Sequence, residues 1–226
     1  MLPRRRLLKV LAAAGLLGPA GISGLIRDAL AKGNAPVAPG LHKVRGEVTV
    51  NFKLAKEGQL ILPGDTIVTG RNSEAIYVIG QDAFMQRELS TVSFGNDAAV
   101  NFMRVVTGKI LSVFGKGTRS LQVSTATIGI RGTGCYIEAE GTGTKARTYF
   151  CLCYGSAELT PNAAPNESET YSTTHHDKPM YIHNNPQMAK MMVPAGVINH
   201  SDAELDLLEG LVGRSTPFGG QGGGKY

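Results

Sequence analysis

From Gly46 to Cys153 the chain is a succession of short β-branched or alternating runs, each closed by turn-forming residues. Glu47–Phe52 alternates apolar and polar side chains, the period-two pattern of a half-buried strand. Leu60-Ile61-Leu62 stops at Pro63-Gly64-Asp65, Thr66–Thr69 at Gly70-Arg71-Asn72, and Ala75–Ile79 at Gly80-Gln81-Asp82. Lys109–Phe114, Leu121–Thr125, Cys135–Glu140 and Arg147–Cys153 continue the series. A recurrence of roughly 8–14 residues between runs predicts an all-β domain. The spacing leaves a β-solenoid and a flattened sandwich both open. The 29 glycines suit the many tight turns such a fold needs.

The first 31 residues carry a different pattern. Arg4-Arg5-Arg6-Leu7-Leu8-Lys9 is followed by an apolar stretch from Val10 to Ile26 and by Ala29-Leu30-Ala31. A charged start, an apolar middle and a small-x-small end form a secretory leader. The Arg-Arg-x-Leu-Leu-Lys order resembles the twin-arginine signal, which implies export of a folded chain to the periplasm. The stretch is interrupted by Gly15, Gly18, Pro19, Gly21 and Gly24 and falls short of a membrane span. Cleavage after Ala31 is therefore expected, with membrane attachment only where the leader is retained.

The leader also explains the charge. Arg4, Arg5, Arg6, Lys9 and Arg27 against Asp28 carry four of the formal net charge of +5. The rest is nearly neutral and has no basic stripe, so nucleic-acid binding is not expected. No phosphate loop, Gly-x-Ser-x-Gly elbow or His-Glu-x-x-His is present, and a non-enzymatic role is expected.

Several segments, in order, carry a family likeness. They are Gly46-Glu47-Val48, Leu62-Pro63-Gly64-Asp65-Thr66-Ile67-Val68-Thr69, Ser73-Glu74-Ala75-Ile76, Gly108-Lys109-Ile110-Leu111 and Thr125–Thr133, which contains Gly129-Ile130-Arg131-Gly132-Thr133. Over residues 44–159 the chain resembles the FecR domain family. The resemblance implies an extracytoplasmic β domain that contacts a protein partner in the cell envelope. The family's best-known members relay siderophore signals to a sigma factor through a cytoplasmic N-terminal domain. Only about six residues precede the apolar stretch here, so that role is not expected to transfer, although envelope signalling stays an alternative. Arg131, between two glycines, is expected to satisfy turn carbonyls with its planar fork.

The residues that bear chemistry cluster late. Cys135, Cys151 and Cys153 fall within nineteen positions, followed by His175, His176 and Asp177. Cys151 and Cys153, two apart on a strand, share a face. The face of Cys135 depends on a register that the sequence leaves open. Three states fit these residues. Cys135 forms a disulfide with Cys151 or Cys153, as an oxidising compartment permits, leaving one thiol over. Alternatively, two or three thiolates join His175 and His176 around zinc, copper or an iron–sulfur centre, making this a metal-handling or redox protein. In the third state the cysteines are inert core residues.

Beyond residue 159 a loop-rich extension is expected to 200, with Lys178–Ile182 as an added edge strand. Ser201-Asp202-Ala203-Glu204 is a capping-box sequence that opens a helix over 201–213, with Leu205, Leu208, Leu211 and Val212 on one side. The glycine-rich end, 214–226, is expected to be disordered. Cleavage after Ala31 predicts that the exported protein, weighed intact, begins at Lys32; a mass that retains Arg27 would refute it.

Overall fold

The structure, a computed structural model, describes residues 35–95 and 102–218. The leader and the end from residue 219 lie outside the described residues. Among the described residues fourteen strands and one α-helix follow in order: β1 (Gly40–Arg45), β2 (Val48–Val50), β3 (Lys53–Leu54), β4 (Thr66–Thr69), β5 (Glu74–Ile79), β6 (Asp82–Gln86), β7 (Ser90–Phe94), β8 (Phe102–Val113), β9 (Thr118–Gln122), β10 (Ala126–Glu140), β11 (Arg147–Pro161), β12 (Glu169–Thr173), β13 (Met180–His183), β14 (Met192–Pro194) and α1 (Asp202–Leu211). The all-β class and the short C-terminal helix are as the sequence predicts.

These fourteen strands belong to one sheet, whose main path runs β14-β13-β11-β10-β9-β8-β7-β4-β2-β3. A branch, β1-β5-β6, joins it at β8. Among the described residues β8–β9 is the parallel pairing; the other pairs are antiparallel. Stacked parallel coils are thus not the organising principle, and the solenoid gives way to a sheet curled on itself. The long strands make the curl. The start of β8 pairs with β7 and β9, and its end with β6 and β10.

The curl gives the sheet two buried faces. The inner core gathers Leu41, Val50, Ile67, Tyr77, Phe84, Val92, Ile110, Leu121, Ile128, Ile137, Phe150 and Leu152. Within it the Tyr77 hydroxyl donates to Gln86 at 3.0 Å, and the Gln86 amide donates to the carbonyls of Ile67 and Ser90. The outer face, with Ile76, Val78, Met85, Leu111, Val113, Tyr136 and Tyr149, is covered by α1 through Leu205, Leu208 and Leu211.

Helix α1 begins where the sequence places it. The Ser201 and Glu204 side chains close a capping box, which satisfies amides that the first turn leaves without helical partners. Several polar links hold it in place. Arg87 reaches Glu204 at 2.8 Å and the Asn199 carbonyl at 3.0 Å. Buried Glu209 accepts from the Tyr154 hydroxyl and, at 2.5 Å, from Arg214. Val37, ahead of β1, donates its amide to the Leu211 carbonyl.

Three expectations need correction. The sequence places an added edge strand at Lys178–Ile182, but the strand there, β13, runs between β11 and β14. The glycine-rich composition places residues 214–218 in a disordered tail, yet Arg214 binds Glu209, Thr216 donates to Asp206, and Phe218 packs on Tyr154 and His175. Arg131 does not fold onto a turn; it is exposed within β10, opposite Ser156. The expected turn is a bulge inside the strand, with Gly132 at φ +55°.

Two substitutions test this packing. Leu208→Ala should cost about 2–5 kcal/mol. A Cβ at Gly134 would come 2.4 Å from the buried Tyr154 ring, so Gly134→Ala should cost roughly 1–3 kcal/mol. Unfolding free energies, measured by denaturant titration, that fall by less than about half a kcal/mol in both variants would contradict these contacts.

Candidate metal centre

The hairpin of β10 and β11 decides which cysteine faces which core. Cys135 pairs with Leu152, Tyr136 with Cys151, and Gly134 with Tyr154. Between the first and last of these pairs β10 advances one residue and β11 two. Cys153 is therefore the extra residue of a β-bulge. Cys151 and Cys153 both enter the outer core beneath α1, and Cys135 enters the inner core on the opposite face. Neither expected disulfide, Cys135 with Cys151 or Cys135 with Cys153, fits this arrangement, and all three cysteines are free thiols.

Two other segments converge on the sulfurs. After β12 the chain turns back over β11, and the His176 amide donates to the Cys153 carbonyl at 2.9 Å. His176 takes φ +53°, a left-handed conformation uncommon outside glycine, and its ring enters the core. Before α1, His200 stacks on Tyr136 with ring centroids 4.7 Å apart. Cys151, Cys153, His176 and His200 are all buried, and one donor atom from each lies within 4.8 Å of every other. His200 is the member that sequence reading missed. It stands 24 residues beyond His176 in a loop, and the capping box that starts one residue later is the local signal that its position is fixed.

His175, expected beside its neighbour in the cluster, points elsewhere. Its Nε2 lies 3.0 Å from Asp202 Oδ2, and its side chain is 34% exposed. His175, His176 and Asp202 form a second, overlapping group. Cys135, on the far side of the sheet, is not among the converging donors.

The hydrogen bonds orient both rings. His200 Nδ1 is 2.6 Å from the Ile198 carbonyl, and His176 Nε2 is 3.0 Å from Asp202 Oδ1. A carbonyl and a carboxylate only accept, so each of these nitrogens carries its hydrogen. In the neutral tautomers the remaining nitrogens, His176 Nδ1 and His200 Nε2, are acceptors. They face each other at 3.1 Å, and Cys151 Sγ lies 3.4 Å from His176 Nδ1. Lone pairs converging in this way require a proton or a cation among them. A tetrahedral ion with bonds of about 2.0–2.1 Å to nitrogen and about 2.3 Å to sulfur has edges of about 3.3 Å between nitrogens and about 3.6 Å between nitrogen and sulfur. These two separations are close to those edges. Asp202 and the Ile198 carbonyl occupy the positions that outer partners of metal-bound histidines take.

Without an ion, protons settle the same charges. The Cys153 thiol hydrogen-bonds Cys151, and with help from His176 and His200 it holds the Cys151 thiol down at about 3 despite burial. Burial, and its bond to Cys151, push Cys153 well above the ordinary thiol range. Burial works against a charged His176, but Asp202 and Cys151 prevail and raise it to about 9. Cys151 and His176 thus each favour the charged form of the other, and a cation entering the cluster would displace the proton between them.

No family model matches the chain. No curated protein matches it. Two crystal structures of a candidate anti-sigma factor from Parabacteroides distasonis ATCC 8503, at 2.50 Å and 1.65 Å resolution, are similar to it with TM-score 0.46 and 7% identity. The similarity covers 58% of this chain and 59% of that one, so the chain spans about three fifths of that neighbour's length.

Proposed function

We propose that the chain is an exported, FecR-like β module that acts by binding a protein in the cell envelope, and that one zinc-class ion on Cys151, Cys153, His176 and His200 fastens its C-terminal segment. The observation that carries the metal reading is the convergence of these four donors, with both outer ring nitrogens already engaged. Thiolates with imidazoles favour zinc over magnesium or calcium. A Rieske-type cluster takes its cysteines on one iron and its histidines on the other, which suits poorly a sulfur and an imidazole nitrogen 3.4 Å apart. All four side chains are buried and no position is left for substrate, so the ion's chemistry is to hold three chain segments together. Partner binding rests on the FecR-like segments, and envelope signalling is the process that they suggest.

Cys151, His176 and Asp202 also stand in the order of a nucleophile, a base and its orienting acid, with links of 3.4 and 3.0 Å. Burial of the sulfur disfavours that use.

Elemental analysis of the purified protein should find about one zinc per chain. Cys151→Ser and His200→Ala should abolish stoichiometric binding, and Cys135→Ser should leave it intact. Asp202→Ala should weaken it about 10–100-fold. Protein that is fully folded and metal-free after growth with zinc would overturn the metal reading. Stoichiometric alkylation of Cys151 in the folded, zinc-supplied protein would favour the nucleophile instead.

A further inference from the structure

We infer, resting on the metal reading above, that Cys151 and Cys153 have two mutually exclusive states, thiolates on the ion or a disulfide with each other, and that the disulfide releases the C-terminal segment from the sheet. The two sulfurs share one face and one site, and Cys135 is held on the other side of the sheet. Any disulfide made within the cluster is therefore Cys151–Cys153. Residues two apart on a strand have Cα atoms about 6.4–6.8 Å apart, at the upper end of what a disulfide spans. The bulge at Cys153 is where β11 leaves the regular ladder and has the freedom to shorten that distance.

The two states compete for the same atoms. Bonded sulfurs are about 2.05 Å apart, whereas two thiolates on a tetrahedral ion stand about 3.8 Å apart. Disulfide formation leaves two imidazoles, too few for a closed site. The oxidant is a disulfide, and the step is balanced by thiol–disulfide exchange. Cys151 sulfur attacks the incoming disulfide and expels one thiol. Cys153 sulfur then attacks the mixed disulfide at Cys151 and expels the second. Two protein thiols become one disulfide, and one incoming disulfide becomes two thiols. Both sulfurs are buried in the closed site, so the reaction runs through the metal-free or locally opened protein, and bound metal suppresses it.

The structural consequence follows from what the site ties together. Cys151 and Cys153 belong to β11, His176 to the turn after β12, and His200 to the segment that becomes Asp202 and α1. Undoing the site detaches the start of α1, the element that covers Val78, Met85, Leu111, Val113 and Tyr136. The pair thereby couples metal supply to exposure of an apolar sheet face.

The test uses the full chain, stripped of metal under reducing conditions and then exposed to oxidised glutathione with or without one equivalent of zinc. Thiols are located by peptide mass, and hydrogen exchange is followed over residues 174–218. Expected without zinc is a Cys151–Cys153 disulfide, with Cys135 still reduced, lost zinc uptake and faster exchange over 202–211. With zinc, oxidation should be at least about tenfold slower and exchange should stay slow. Cys135→Ser should behave as the parent chain. Oxidation at equal rates with and without zinc, a disulfide that includes Cys135, or unchanged exchange over 202–211 after oxidation would each overturn the inference. Zinc bound stoichiometrically together with any of these would leave the metal reading standing; failure to bind zinc in the reduced chain would sink both.

Discussion

The unequal advance of β10 and β11 around Gly134 and Cys153 governs what this molecule can do. A regular ladder alternates its side chains strictly. One extra residue at Cys153 lets Cys153 and Tyr154 both serve the outer face. Cys153 joins Cys151 in the candidate centre, and Tyr154 reaches Glu209 to anchor α1. Gly134 pays for neither with a side chain, since the Tyr154 ring fills the space where its Cβ would stand.

Around that irregularity the outer face combines polar and apolar fastening. The leucines of α1 supply the non-directional part, roughly 1.5–3 kcal/mol for each side chain fully buried. Direction comes from Arg87 on Glu204, Glu209 between Tyr154 and Arg214, and Asp202 on both imidazoles. A buried carboxylate is tolerated where its oxygens accept hydrogen bonds, and each of these three does.

Much of this was legible in the chain before folding. Turn clusters marked the strands, and the Ser201–Glu204 capping box marked the helix start, because both signals are local. The sharing of one face by Cys151 and Cys153 was also legible, since it depends on strand parity alone. The face of Cys135 was not, because it depends on pairing with a strand reached through a bulge, and bulges are decided by packing across the sheet. His200 was missed for a related reason. No sequence spacing links it to the cysteines, and it arrives only when α1 docks. His175 and His176 looked equivalent as neighbours, but the left-handed backbone at His176 turns one ring inward and leaves the other toward Asp202 and solvent.

Asp202 is the first residue of α1 and also the carboxylate that both His175 and His176 use. Successive helical residues are about 100° apart around the axis. If α1 rolled by a single residue, that carboxylate would swing clear of both rings. The first turn of α1 and the two imidazoles are thus one mechanical unit, since the residue that opens the helix is the one that orients both rings.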